Sequence, residues 1–564
     1  VFNVQRPEVL DRISSWVTRR ADRTVLAVVH NVTAATRLFD VLPILADDPR
    51  VQVHFTCPES SPFHGQIAEY LSAREVTPVS WQQAVERQFD LAIAASHGGP
   101  LNELKAPLIV LPHGMGYNKY LPRNPKSEIR NPKTGSGKTV FGMSPDWLLH
   151  EGRVIASSLV LSHPEQLDRL CRSCPEAAEV AVVAGDPSFD RMLASLPLRH
   201  LYREALGVDA ARRLILVSST WGPASLYGSQ PDLILRLRTE LPLDDYAVAL
   251  ALHPNTWSAH SPWQIRRWLH ACTRAGVTLL PAHEGWRAGL VGADLIVGDH
   301  GSVTFYGASL GRPVTLAEAP HDAVDPDSAI GRILTAATRL DLTRRLLPQI
   351  ETTLARGQTN EVKDLAELAT SMPLKSHAAL RAEFYRLLAL PEPETTAEAA
   401  ALPVPVVTAK VAATQSVHVT LNLEAGGLRA TATRFAAEQI LRGRPLGDDA
   451  HLVVSTDEPS ETALQLADVI VHHEPGGPPD WITRTLAALP GATVATRPAD
   501  DGAWFAGTRD GRRVRFEQTG EFGPVLASVV LTWVAQGHSL SALPERIDLI
   551  AGARRQQARA TLTR

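Results

Sequence analysis

The sequence predicts an α/β protein with two consecutive doubly wound, Rossmann-like units and a smaller C-terminal domain of α/β or α+β type. Three observations lead there. Short, almost wholly apolar runs alternate with stretches of helical spacing from residue 25 onward. The alternation restarts after Gly185. A stretch rich in Pro, Ala and acid, "PEPETTAEAAALPVPVV" (391–407), then precedes a third group of apolar runs. With 564 residues the chain is too long for one core, so several domains are expected.

In the first unit, "TVLAVVH" (24–30) reads as a buried strand, and the following "TAATRLFDVLPILADD" has helical spacing with Thr33 as its cap. "VQVHFTC", "FDLAIAAS", "APLIVLPHG", "SLVLSH" and "EVAVVAG" follow, each set off by a helical or loop segment. Strands that are apolar throughout, alternating with helices, argue for a parallel sheet covered on both faces. The second unit repeats the pattern in "RLILVSST" (213–220), "YAVALALHP" (246–254), "VTLLP" (277–281), "ADLIVGD" (293–299) and "RPVTLA" (312–317). Sheets of this kind bind ligands at the carboxyl ends of their strands. Residues 391–407 read as a linker. Beyond it, "SVHVTLNL", "AHLVVST", "LADVIVHHE", "GATVATRPA" and "RRVRFEQ" make the third unit. The expected division is therefore 1–195, 196–390, the linker 391–407, and 408–564.

Composition is that of an ordinary globular protein, 44% hydrophobic and 21% charged. The formal net charge of −4 gives no overall support for nucleic-acid binding. No run of about 18 apolar residues suggests a membrane span, and "VFNVQRPEVL" does not read as a signal peptide. The four cysteines fit a reducing, cytoplasmic setting. Cys171 and Cys174 form a lone C-x-x-C with no second ligand pair, read as a surface pair near a helix end rather than a zinc site.

One segment imitates a phosphate-binding P-loop: "RNPKTGSGKTVFG" (130–142). The motif G-x-x-x-x-G-K-[ST] needs a glycine where Pro132 stands, and a buried strand where the chain is polar and broken by prolines. An ATPase is therefore rejected. The segment belongs to a basic loop, 119–139, carrying Lys119, Arg123, Lys126, Arg130, Lys133 and Lys138. Such a loop suits an anionic acceptor or a membrane surface met peripherally, and equally a solvated loop.

Chemistry gathers at predicted strand ends. His30, His97, His113, His253 and His300 all end or follow a strand. Imidazole exchanges protons near neutral pH, so histidines on one sheet edge make candidate acid–base groups. A strand-end histidine also serves simply as a cap. In "GDHGSVTFYGASLGRP" (298–313), a strand ends in glycine, a turn holds Asp299, His300 and Gly301, and a helix starts near Ser302 and Val303. Free N–H groups at such a start favour an anion, a diphosphate above all. Every βα unit needs a capped turn of this kind, so the turn alone decides little.

Several motifs at these ends resemble the CDP-glycerol glycerophosphotransferase family, the polymerases and primases of wall teichoic acid. His113-Gly114 with Lys119 matches its "HGT-x-x-K-K"-like segment. Gly185, Pro187 and Asp190 match a "G-x-P-R-x-D"-like turn. Thr220-Trp221 matches "P-T-W-R", His253-Pro254 matches "R-x-H-P", and Asp299, Ser302, Val303 and Phe305 match "D-Y-S-S-V-x-F-[DE]". The resemblance spans roughly residues 25–345. It departs at Gly222 (Arg in the family), at His300-Gly301 (Tyr-Ser), at Tyr306 (acidic) and through Met115-Gly116-Tyr117-Asn118.

The resemblance implies a GT-B fold, with two units facing a cleft. It implies a cytoplasmic transferase that moves a glycerol-phosphate or glycosyl group from a nucleotide-activated donor to an acceptor hydroxyl in cell-envelope polymer synthesis. A CDP-linked donor is favoured over a UDP-linked one, and no metal or other cofactor is expected. The first unit is the acceptor side, with His113 as general base and His30, His97, Gly114 and Lys119 beside it. The second is the donor side. There Thr220, Asp299, His300, Gly301, Ser302 and Val303 bind nucleotide and phosphate, and His253 stabilises the leaving phosphate. Asp299 orients His253 or His300, or caps the helix. "GASLGRPV" also resembles the end of a segment of UDP-N-acetylglucosamine 2-epimerases, but Val303, Thr304, Phe305 and Tyr306 supply no acid where that group has glutamate. The departures leave a third reading, a degenerate protein that binds nucleotide or glycan without turnover.

Overall fold

A computed structural model describes residues 18–58, 64–122, 138–407, 412, 414–438, 440 and 450–563. The chain divides into two compact units. One holds the chain up to Leu196 together with Pro320–Ala336 and Asn360–Leu402; the other holds Pro197–Ala319, Ala337–Thr359 and Pro403–Arg564.

The first unit is built on six parallel strands: β1 (Arg23–Val28), β2 (Val51–Thr56), β3 (Leu91–Ala94), β4 (Leu108–Val110), β5 (Ser158–Leu161) and β6 (Ala181–Val183). They lie in the order β6-β5-β4-β3-β1-β2. Every one of them falls in an apolar run read from the sequence. Side chains alternate across a strand, so Val25 and Ala27 join one buried cluster with Ile93, Ile109 and Val160. Leu26 and Val28 join another, with Ala92, Ala94 and Leu159. Both faces are covered, which is why these runs carry no polar alternation. The helix Val32–Val41 starts two residues earlier than expected: Asn31, not Thr33, caps it by accepting the Ala34 N–H at 2.8 Å.

The second unit opens with β7 (Arg213–Ser219), β8 (Tyr246–Leu252), β9 (Val277–Leu279), β10 (Leu295–Gly298), β11 (Val314–Leu316) and the short edge strand β12 (Thr338–Arg339). All pairs are parallel, in the order β9-β8-β7-β10-β11-β12. By position in the sheet this is 3-2-1-4-5-6, the doubly wound order whose crevice opens where the winding reverses, between β7 and β10. In the first sheet the reversal falls between β1 and β3.

The C-terminal region mixes helices and strands, as expected, and its strands close into a barrel. Its nine strands are β13 (Thr414–Glu424), β14 (Gly427–Ala436), β15 (Ala450–Ser455), β16 (Val469–Val471), β17 (Val494–Pro498), β18 (Trp504–Thr508), β19 (Arg513–Glu517), β20 (Arg546–Ala551) and β21 (Arg554–Thr563). They close in the order β13-β14-β20-β21-β19-β18-β17-β16-β15. One apolar cluster draws residues from every strand and from the helix Gly523–Ala535. That helix buries Val525, Leu526, Val529, Val530 and Trp533, as expected of a helix that is apolar nearly all round.

The expected linker is not free. Arg191 Nε donates to the Ala400 carbonyl at 3.0 Å, and the Leu402 N–H donates to Ser195 Oγ at 2.8 Å. Arg50 Nη2 reaches the Pro391 carbonyl at 2.9 Å. A Pro-rich segment cannot satisfy its own carbonyls in a helix; here side chains of the first unit satisfy them. Cys174 corrects another expectation: it is buried while Cys171 is exposed, and both are free thiols. No helix among the described residues is long and apolar enough to cross a membrane.

Candidate functional site

At the carboxyl edge of the first sheet, Val28, Ala94 and Val110 are register partners. Their strands end level, and the chain then delivers His30, His97 and His113 at three neighbouring strand ends. Contacts knit the three together. The His30 ring lies so close to Gly98 that a Cβ there would sit 2.4 Å from Nε2. Phe141 presents its ring to both others, with centroids 5.9 Å from His97 and 5.7 Å from His113. Tyr117 lies 5.7 Å from His97, and its hydroxyl donates to the Val160 carbonyl at 3.2 Å. Gly142 is held at φ +77°, and a Cβ there would strike the Tyr117 ring and His97.

This packing sets the electrostatics. Burial lowers His30 and His113 to about 4 and His97 to about 3, so all three are neutral at pH 7. For His113 the positive charges of Arg37 and Lys119 push the same way. His97 Nε2 is buried without a hydrogen-bond partner among the described residues. Arg37 is itself neutralised by Asp186 at 2.7 Å, both buried. His113, Gly114 and Lys119 are half-buried. Their loop is pinned by the Asp325 N–H to the Asn118 carbonyl at 2.8 Å, and by Arg169, which donates to the Tyr117 carbonyl at 2.7 Å.

The P-loop look-alike has a structural answer. Residues 123–137 lie outside the described residues, but Lys138–Val140 form a strand antiparallel to Tyr120–Pro122. A phosphate-binding lysine stands where its loop opens a helix; Lys138 opens a strand that carries Phe141 to the histidines. The motif's neighbour "AGDPSFDRM" is likewise structural. Asp186 caps the helix Pro187–Ser195. Asp190, fully buried, accepts the Leu374 N–H at 2.7 Å and the Ser376 N–H at 2.8 Å. It thereby anchors the returning helix Ser376–Leu388.

The second unit gathers its candidates at its own winding reversal. Asp299, 1% exposed, organises both sides of it. Its Oδ2 accepts the Thr220 and Leu226 N–H groups, each at 2.9 Å, and its Oδ1 accepts the Gly301 N–H at 2.9 Å. The turns after β7 and β10 are thus drawn together. A Cβ on Gly301 would lie 3.2 Å from Thr220 Cβ. Gly301 is the cap residue of the helix Ser302–Ser309 and offers no side chain to it. The N–H groups of Ser302 and Val303, both half-buried, have no acceptor among the described residues. Thr220 and His300 are buried. The His253 N–H donates to the Ser219 carbonyl at 3.1 Å, and its Nδ1 accepts the Asn255 N–H at 3.1 Å. Trp221, 41% exposed, stands with its ring 6.4 Å from His253.

Three of the five strand-end histidines therefore share one edge of the first unit, and His253 and His300 belong to the second. Sequence reasoning passed over Phe141, Tyr117 and the Arg37–Asp186 pair; "DP" opening a helix at Asp186 was the one local cue. Among the described residues no group of three or more His, Cys, Asp or Glu is arranged to hold a metal.

No family model and no curated protein matches the chain. Among solved structures it is similar to the wall teichoic acid polymerase TagF, at 13% identity over 66% of this chain and 90% of that one, with a TM-score of 0.44. It is also similar to a UDP-GlcNAc 2-epimerase from Neisseria meningitidis bound to UDP-GlcNAc, at 12% identity over 65% and 99% of the two chains, TM-score 0.41. A third is a putative UDP-N-acetylglucosamine 2-epimerase from Listeria monocytogenes, at 14% identity over 67% and 100%, TM-score 0.42. Likenesses this distant carry no argument about reaction or site residues.

Proposed function

We propose that the protein is a GT-B-type transferase that moves a glycerol-phosphate or glycosyl group from a nucleotide-activated donor, CDP-linked in the first instance, to an acceptor hydroxyl. One observation carries the reading: the second sheet's winding reversal places unbonded helix-start N–H groups, at Ser302 and Val303, beside Thr220 in a turn held by Asp299. Such a start favours phosphate. The motif resemblance in the sequence supports the reaction class.

In this reading Ser302, Val303 and Thr220 hold the donor phosphates, and Asp299 is a positioning residue, since its carboxylate is already filled by backbone donors. The acceptor oxygen forms the new bond, and the bond to the nucleotide phosphate breaks. The hydroxyl proton passes to His113, and His253 Nε2–H faces the charge gathering on the leaving phosphate. His113 is neutral and free to take the proton; a bound polyanion would raise its low pKa toward the working range. The reaction as proposed draws on no metal. An anionic or membrane-associated acceptor would fit the basic sequence 119–139, of which residues 123–137 lie outside the described ones.

The test is a thermal-shift panel of CDP, UDP, GDP, ADP and CMP on the full chain, with Ser302→Tyr alongside. A cytidine preference lost in Ser302→Tyr is expected. A uridine preference would move the protein to the epimerase reading. No shift with any nucleotide would sink the donor site, and turnover of any activated donor would eliminate the degenerate reading.

A further inference from the structure

A second cavity in the Pro197–Ala319 and Pro403–Arg564 unit has no part in the reading above. It encloses about 730 Å³ between the amino ends of β8 and β9 and one rim of the barrel. That is ample for a small organic ligand. One part of its wall is apolar, with Leu243, Val453, Val471, Val525 and the Trp504 indole.

The polar groups facing it are unusual. Arg238 is 1% exposed and lines the cavity. Among the described residues its Nη1 and Nη2 donate only to neutral carbonyls, of Tyr246 at 3.0 Å and Leu241 at 3.2 Å, and its Nε has no partner. The nearest buried carboxylate, Asp244, is already paired with Arg434 at 2.9 Å. Asp209 is paired with Arg212 at 3.0 Å and with Arg554, which also holds Glu521 at 2.8 Å. Asp457, the remaining carboxylate on the wall, is exposed. The deep part of the cavity therefore holds two guanidinium groups against one carboxylate. Burying a cation with no counter-charge is costly, and burial lowers Arg238 to about 10.

Two further features aim at the same space. Ser528, fully buried, faces the cavity with its hydroxyl unpartnered among the described residues. Pro524 and Val525, in the first turn of the 13-residue helix Gly523–Ala535, line it as well. The positive end of that helix favours an anion. The Trp504 ring packs onto the helix start so tightly that a Cβ on Gly523 would lie 2.2 Å from its Nε1.

We propose that this cavity is a binding site for a small organic anion: an apolar or aromatic body against Trp504 and the valines, with a phosphate or carboxylate directed at Arg238 and Ser528. The site is independent of the donor site at Ser302 and stands or falls without it.

The experiment is calorimetric titration of the full chain with phenyl phosphate, benzoate, inorganic phosphate and benzyl alcohol. Phenyl phosphate or benzoate is expected to bind, and which of them binds tighter separates a phosphate from a carboxylate ligand. Benzyl alcohol, which lacks the charge, should bind at least about tenfold more weakly. Arg238→Met should weaken the anion by about tenfold or more, Ser528→Leu should crowd the anion end of the cavity and weaken binding by about tenfold or more, and Ser302→Tyr should leave it unchanged. Because Arg238→Met removes a buried group and can unfold, a 4-bromobenzoate soak of wild-type crystals decides by itself: bromine scattering beside Arg238 and Trp504 supports the site. Bromine elsewhere, no binding of either organic anion at millimolar concentration, or benzyl alcohol binding as tightly as benzoate would each overturn it.

Discussion

Asp299→Ala separates a positioning carboxylate from one that meets a ligand. The side chain is buried and accepts three backbone N–H groups, from Thr220, Leu226 and Gly301, each at 2.9 Å. Removing it leaves three buried donors without an acceptor. Each such loss costs about 1–3 kcal/mol, so even the low end sums to about 3 kcal/mol for this corner. The cost is local, because it falls on two turns rather than on a core. It should therefore appear as local opening, and about 3 kcal/mol corresponds to roughly a hundredfold faster amide exchange. The assay is hydrogen-exchange mass spectrometry of peptides covering 219–226 and 299–303, with β1–β3 as internal control. Asp299→Asn should give a smaller acceleration, because its amide oxygen keeps one side of the network. Nucleotide affinity should fall in proportion to the loosened turn. The reasoning fails if Asp299→Ala abolishes nucleotide binding while both peptides exchange at the wild-type rate; Asp299 would then touch the ligand.

The other expectations are shorter. His113→Ala should keep nucleotide binding and lose transfer by about 10²–10⁴-fold; near-normal turnover would return His113 to a strand-end role. Lys138→Ala should leave nucleotide affinity unchanged, because Lys138 opens a strand and not a helix; lost affinity with an intact fold would restore the P-loop. The histidine cluster gives a pH dependence with a definite sign. His30 and His113 are lowered to about 4 and His97 to about 3, so between about pH 6.5 and those values the unfolded chain holds more protons. Stability of the first unit should be full above about pH 6.5 and fall as pH drops through that window, followed by calorimetry. His97→Gln should flatten the slope, and a slope unchanged in that variant would contradict the assignment.

The two parallel sheets were legible because both faces of the central strands are buried, so those runs are apolar nearly throughout, as in β1 and β7; the edge strand β2 exposes Gln52. The barrel was not. β21, "RRQQARATLT", turns Arg555, Gln557 and Arg559 outward and buries Ala558 and Ala560, a pattern with too little apolar mass to stand out. Four of its nine strands, β14, β18, β20 and β21, escaped notice for related reasons. β12 escaped because two residues at a sheet edge leave no periodic signal. At the site, the strand-end histidines were legible because chemistry at a strand's carboxyl end follows from topology. The partners that set their charge were not. Phe141 reaches His97 and His113 from beyond the basic loop, and Asp190 answers to Ser376, 186 residues away. Contacts of that range leave no local pattern.

The two winding reversals also differ in kind, and the difference bears on what each can do. In the first unit, aromatic rings and burial keep three imidazoles uncharged, and the nearby Arg37 is paired with Asp186. That edge offers proton acceptors, with the positive charges of Arg37 and Lys119 acting on His113. In the second unit, one carboxylate is saturated by backbone donors, while Ser302 and Val303 keep theirs open beside the exposed Trp221. That edge offers donors to an anion, a flat apolar surface, and in His253 a ring whose Nδ1 is engaged as an acceptor. The helix after Gly301 opens with Ser302, Val303, Thr304, Phe305 and Tyr306, none of them acidic. The three neutral imidazoles belong to the first edge, and the open helix-start N–H groups, with His253, belong to the second.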